Sequence, residues 1–239
     1  MKLNYLQFKI IAMLAMTLGH IAWVWIDTYS FWGQLFHFLG RLTAPIMCFL
    51  LVEGFFKTKN YRSYIVRMLF FALFAQIPYV AMLRGLEQSF QVNQLFFKFN
   101  VLFNFLAALL GLGIVYKTNI HVMVKAAVIT FLLFMSMFMD WGVFIVIFSL
   151  VFAYYRNDRR QQVIAYTITA MGLLLLNDVG LIYALPSLTS QWMPLGLLLA
   201  VLVLKNTNYS NGGRFGGRYF FYCYYPLHML LLAIVAYFI

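Results

Sequence analysis

The chain has 239 residues, of which 64% are hydrophobic, 20% aromatic and only 10% charged, too little polar side chain to coat a water-soluble globule. Its formal net charge of +11 does not read as a nucleic-acid footprint, because the basic residues sit in short clusters between apolar runs and not along one amphipathic face. The two cysteines, Cys48 and Cys223, both lie inside apolar runs, which excludes a disulfide framework and a zinc knuckle with CxxC spacing.

The first apolar run covers residues 6–26. Lys2 and Lys9 give it the look of a signal peptide, but it is long enough to cross a bilayer and ends on Trp23, Trp25 and Asp27 instead of a small-residue cleavage site. It is therefore expected to remain as a helix. Further runs at 35–56, 63–82, 95–116, 122–138, 141–155, 162–177, 191–204 and 219–238 follow. Together they predict an all-α transmembrane bundle of about nine helices, a single integral membrane domain over residues 1–239 with no internal repeat and no soluble domain.

Lys and Arg are retained on the cytoplasmic side, so the loops orient the bundle. Alternate loops carry Lys57, Lys59 and Arg62; Lys117 and Lys125; Arg156, Arg159 and Arg160; and Lys205, Arg214 and Arg218. The intervening loops hold Asp27, Glu87, Asp140 and Asp178, with Arg84 and Lys98 as the basic exceptions. The expected topology has the N-terminus in the cytoplasm and the C-terminus outside.

An ionisable side chain at membrane depth costs roughly 2.5 to 3.5 kcal/mol on insertion scales, which makes each one a functional candidate until a partner explains it. His20 falls in the outer part of the first run, Arg41 in the outer part of the second, Glu53 near the inner end of the second and His228 near the middle of the last. Asp140 marks an outer mouth between the fifth and sixth runs. Plain structural readings stand beside these. His20 can be interhelical glue, Arg41 can snorkel outward, and Glu53 can pair with Lys57 at i, i+4. Gly40 and Pro45 flank Arg41, and Pro45 frees a carbonyl one turn earlier, a break tolerated where backbone lines a cavity.

Asn93, Asn100 and Asn104 recur at i, i+7 and i+11, so their amides share one helix face, either as interhelical glue or as contacts for a substrate. Residues 211–218, Asn-Gly-Gly-Arg-Phe-Gly-Gly-Arg, form a basic, glycine-rich loop. Its backbone N–H groups, with Arg214 and Arg218, can receive a phosphate, although a plain positive-inside loop has the same composition. The sequence has no GxSG and no HExxH, and His20 and His228 are too far apart to form a helical metal pair. No metal is expected.

Several of these segments resemble the TraX family, whose namesake is the membrane acetylase that caps the N-terminus of F-type conjugative pilin. The resemblance rests on Phe8-Lys9-Ile10-Ile11-Ala12-Met13 through Gly19-His20-Ile21, on Gly40-Arg41-Leu42 with Pro45, and on Val52-Glu53-Gly54-Phe55. It continues through Gln76-Ile77-Pro78, Asn100-Val101-Leu102-Phe103, Asp140-Trp141-Gly142 and Tyr222-Cys223-Tyr224-Tyr225-Pro226-Leu227-His228. Members commonly have an acid where this chain has Gly19 and a tyrosine where it has Trp141, so His20 needs a different neighbour to orient it. The glycine-rich basic loop is also longer than the usual form.

The resemblance implies acetyl transfer from cytoplasmic acetyl-CoA in a bacterial inner membrane. The acceptor ranked first is the N-terminal amine of a pilin or similar membrane-inserted protein, and the second is a surface-glycan hydroxyl. On this reading His228, ahead of His20, is the general base, Arg41 stabilises the oxyanion, and Asp140 orients a histidine or receives the amine. Glu53, Lys57, Arg214 and Arg218 face the donor, and Asn100 and Asn104 the acceptor. A carrier or flippase of an anionic substrate is the alternative of a different class, weakened by the lack of an inverted repeat.

Overall fold

The computed structural model describes residues 3–87, 89, 91–96, 98–182, 185–207 and 219–238. The fold is all-helical. No strand occurs among the described residues, only isolated bridges at Leu3–Thr207 and Phe99–Met139.

The element order follows the apolar runs. Helix α1 spans Tyr5–Trp25, α2 Phe31–Gly40, α3 Thr43–Lys57 and α4 Tyr61–Arg84; a single turn, α5, spans Val92–Leu95. Then come α6 (Val101–Lys117), α7 (Val122–Ser136), α8 (Phe144–Tyr154), α9 (Arg159–Asp178), a 3-10 turn at Met193–Leu195, α10 (Gly196–Lys205) and α11 (Phe220–Phe238). Among the described residues, four stretches are apolar and long enough to cross a membrane: Tyr5–Trp25, Phe31–Lys57, Tyr61–Arg84 and Phe220–Phe238. Large side chains such as Leu14, Phe70, Phe74, Met123, Ile168 and Leu175 stand exposed on their helices, the surface expected where lipid is the solvent.

Two features depart from a set of uniform spans. The second run is broken into α2 and α3 at Arg41–Leu42. The break sits where Pro45, in the first turn of α3, cannot donate to the Arg41 carbonyl. Helices α8 and α10 are only 11 and 10 residues long, each about 15 Å at 1.5 Å per residue and so about half the hydrocarbon thickness. For α8 the cause is the turn that precedes it, where Gly142 adopts φ 51°, and the helix begins only at Phe144.

The described residues divide into two compact units. The first gathers those of Met1–Met47, Leu73–Phe97 and Pro186–Ile239. Its N-terminal helix opens with a capping box: the Asn4 side chain accepts from the Gln7 N–H, and the Gln7 side chain accepts from the Asn4 N–H, each at 2.9 Å. Helix α2 is held on two sides by backbone contacts that only glycine permits. A Cβ on Gly40 would stand 2.9 Å from the Gly19 Cα of α1, and a Cβ on Gly196 of α10 would collide with the Phe38 carbonyl.

The second unit gathers Cys48–Ala72 and the described residues of Lys98–Leu185. Helix α8 is its centre. Phe144, Ile145, Val146, Phe148 and Phe152 are all fully buried, as in a helix that is apolar all round and enclosed by protein. Tyr166 of α9 stacks on Phe152 at 5.2 Å between ring centres. On α6, Gly113 makes room for the Tyr61 ring, whose hydroxyl donates to the Leu109 carbonyl at 3.0 Å.

Candidate functional site

The first unit joins two of the residues singled out from the sequence. His20 Nδ1 lies 2.7 Å from His228 Nε2, and the rings stack with centres 5.0 Å apart. His228 Nδ1 in turn lies 2.8 Å from the Tyr224 carbonyl, one turn earlier on α11. A carbonyl oxygen only accepts, so His228 Nδ1 carries the proton and Nε2 of the neutral ring is a lone pair. His20 Nδ1 must then donate to it. In a neutral His20 the remaining nitrogen, Nε2, is left as a lone pair. Tyr224 adds two further restraints: its ring stacks on His228 at 5.0 Å, and its hydroxyl bonds the Thr17 hydroxyl of α1 at 2.6 Å.

The crossing of α1 and α2 supplies the neighbours of this pair. With the backbones touching at Gly19 and Gly40, His20 and Arg41 are the residues that immediately follow the contact on the two helices. Arg41 caps α2, its N–H donating to the His37 carbonyl at 2.9 Å. His37 is 3% exposed and meets Trp23 edge-on at 5.3 Å. It lies within electrostatic reach of both His20 and Arg41. Gln34, one turn before His37, is spent on backbone, donating to the Thr28 carbonyl at 2.6 Å and accepting from the Met193 N–H at 3.1 Å.

The other described candidates belong to the second unit. Glu53, 5% exposed, receives Arg156 as a fork: Nε to Oε1 at 2.8 Å and Nη2 to Oε2 at 3.3 Å. Lys57 lies 3.3 Å from the same carboxylate, the i, i+4 pair expected of it. Arg156 also packs over the Phe56 ring at 4.8 Å. Asp140 pairs with Lys98 at 3.7 Å.

The two asparagines serve the backbone of this unit. Asn100 caps α6 by accepting from the Leu102 N–H at 3.0 Å, and its amide donates to the Ala72 carbonyl at 2.8 Å. Asn104, fully buried, donates to the Gly142 carbonyl at 2.9 Å and accepts from the Trp141 N–H at 3.2 Å. Both amides hold backbone, as the glue reading of their spacing has it, and Asn104 pins the turn that carries Asp140.

Arg214, Arg218 and the rest of the glycine-rich loop lie outside the described residues. Among the described residues no three His, Cys, Asp or Glu side chains are gathered so as to hold a metal ion. Two residues of these clusters carried no signal of their own in the sequence. Arg156 reads as one more positive-inside loop residue. His37 reads as one polar residue in an apolar run, although its place one turn before Arg41 is a spacing that could have raised it.

The chain is similar to known proteins along nearly its whole length. The sequence profile of the family described as "TraX protein" matches residues 5–236. The chain is 42% identical over 228 residues to a "Probable fimbrial assembly protein FimC, serogroup H1" of Dichelobacter nodosus, a match covering 95% of this chain and 93% of that relative. No solved structure matches. With nearly the whole chain under the family profile and a relative this similar along its full length, the protein is a helical membrane protein that belongs to the TraX family.

Proposed function

We propose that this protein is an acetyltransferase of the bacterial inner membrane, moving the acetyl group of cytoplasmic acetyl-CoA to the N-terminal amine of a pilin or similar membrane-inserted protein. The observation that carries the reading is the His20–His228 pair, two imidazoles joined at 2.7 Å with their tautomers fixed from the Tyr224 carbonyl. A relative named for fimbrial assembly supports a pilin-like acceptor.

The hydrogen bonds of the pair support one division of roles. His20 Nε2 is the free lone pair and hence the base, while His228 is the positioning residue that holds it, the reverse of the order preferred from the sequence. The acceptor nitrogen attacks the thioester carbonyl carbon, and its proton passes to His20 Nε2. The resulting oxyanion is stabilised by Arg41. Collapse breaks the carbon–sulfur bond, the coenzyme A thiolate leaves and takes the proton from the imidazolium, and an amide remains. Imidazole needs no metal for this chemistry.

The donor's phosphates are assigned to the cytoplasmic side, where the loop charges of the sequence lead us to expect Arg214 and Arg218. Lys57, beside the Glu53–Arg156 fork on the second unit, is a separate candidate for that charge. The test is transfer of labelled acetyl from acetyl-CoA to a pilin peptide in vesicles carrying the protein. His20→Gln, which keeps polarity but cannot take the proton, should lose at least about 100-fold. Label found on a glycan hydroxyl instead would move the acceptor and leave the chemistry, whereas uptake of an anion without any acetyl transfer would make the protein a carrier.

A further inference from the structure

His37 presents an unexplained group. Its Nε2 is buried and has no hydrogen-bond partner among the described residues, on a side chain only 3% exposed. A buried polar atom left unpaired keeps its full desolvation penalty, and in a membrane no bulk water stands by to relieve it. In native proteins such an atom is met by an ordered water or ion, a ligand, or a mechanistic use.

The position points to the use. His37 sits on α2 one turn before Arg41 and faces α1 at Trp23, one turn beyond the Gly19–Gly40 contact. Packing against the Trp23 edge fixes the ring, and His20 is the next residue after the contact. The Arg41 charge decides the chemical class of what approaches. A cationic ammonium is repelled beside a guanidinium, whereas the oxygen of an acyl group, which gains negative charge in the reaction, is attracted.

We propose that His37 is a further catalytic residue, its Nε2–H donating to the thioester carbonyl oxygen of the acetyl donor and, with Arg41, holding the tetrahedral oxyanion. This rests on the acetyl-transfer reading above. The neutral ring donates from Nε2 and keeps its proton throughout, so no proton balance changes: His20 takes the proton of the attacking nucleophile and His37 only stabilises charge. An oxyanion donor serves any nucleophile, so both acetyl transfer to the amine and slow hydrolysis of acetyl-CoA by water pass through it.

The experiment compares His37→Phe, which keeps a ring against Trp23 and removes the donor, with His37→Gln, which keeps an N–H donor, in the full-length protein in vesicles. Transfer to a pilin peptide and acetyl-CoA hydrolysis are both measured, with melting temperature as the check on folding. His37→Phe should fold and lose at least about 100-fold in kcat for both reactions, with KM for acetyl-CoA within about threefold of wild type. His37→Gln should retain activity within about tenfold of wild type. Two results overturn the inference alone: a His37→Phe protein near wild-type rate, or a folded His37→Gln protein as inactive as His37→Phe. If His37→Phe does not fold, the rate of His37→Gln decides. Absence of acetyl transfer in the wild-type protein overturns this inference and the proposed function together.

Discussion

Gly19 and Gly40 meet backbone to backbone, so closely that a Cβ on Gly40 would stand 2.9 Å from the Gly19 Cα and one on Gly19 would stand 3.3 Å from the Gly40 Cα. This contact sets the separation of α1 and α2, and with it the spacing of His20, His37 and Arg41. Gly40→Ala forces the helices apart, an overpacking strain of about 1 to 3 kcal/mol. It should lower the melting temperature in detergent and cut acetyl transfer by more than the stability loss accounts for. Gly172, which has nothing within 4 Å of a Cβ, is the matched control. Gly172→Ala should be neutral or stabilising by about 0.5 to 1 kcal/mol. Equal behaviour of the two variants would remove the special status of the crossing.

The tautomer order distinguishes the two bonded histidines. Because His228 Nδ1–H is committed to the Tyr224 carbonyl, His228 has the positioning part in the proposed reaction, and His228→Gln keeps an oxygen able to accept from His20 Nδ1–H. The expected ranking of transfer rates is wild type, then His228→Gln, then His20→Gln, the last reduced by at least about 100-fold. A His228→Gln protein that is dead beside an active His20→Gln protein would return the base to His228. Rates in vesicles with saturating acetyl-CoA read this directly.

The Glu53–Arg156 fork predicts an asymmetric stability series. Arg156→Ala removes both bonds of the fork from a buried carboxylate and should cost roughly 1.5 to 3 kcal/mol. Lys57→Ala removes a half-exposed partner and should cost less than about 1 kcal/mol. Adding Glu53→Gln to Arg156→Ala removes the charge that the fork balanced and should recover much of the loss. Thermal unfolding in detergent measures all three, and a double variant no better than Arg156→Ala would show that the fork acts through packing on Phe56.

Much of this organisation can be read from the sequence, and the limits have physical causes. The helical runs are legible because lipid demands long apolar stretches, and the break at Arg41 because Gly40 and Pro45 announce it. Partnerships between distant residues are not legible: His20 and His228 are 208 positions apart and Glu53 and Arg156 103 apart, and no local pattern encodes a distance. Asn100 and Asn104 show a related limit, since an amide with helical spacing looks the same whether it faces a ligand or holds a turn. His37 gains its meaning only from the crossing of α1 and α2, which depends on two glycines that read as ordinary small residues.

The loop charges predict a topology with the N-terminus in the cytoplasm, which is open to direct measurement. Cysteines placed at Asp27, Asp140 and Asp178 should react in intact cells with an impermeant thiol reagent, and those at Lys59 and Arg159 only after the cells are opened. Labelling of Lys59→Cys from outside would invert the bundle and put the His20–His228 pair on the other path to its donor.

The central claim is acetyl transfer to a membrane-inserted acceptor through the His20–His228 pair. Intact-mass measurement of pilin-like proteins from cells carrying the wild-type chain, the His20→Gln chain or no chain tests it most directly. The account predicts one extra acetyl group on the mature N-terminus with the wild type alone. An acetylated N-terminus that persists in cells with the His20→Gln chain or with no chain would contradict it.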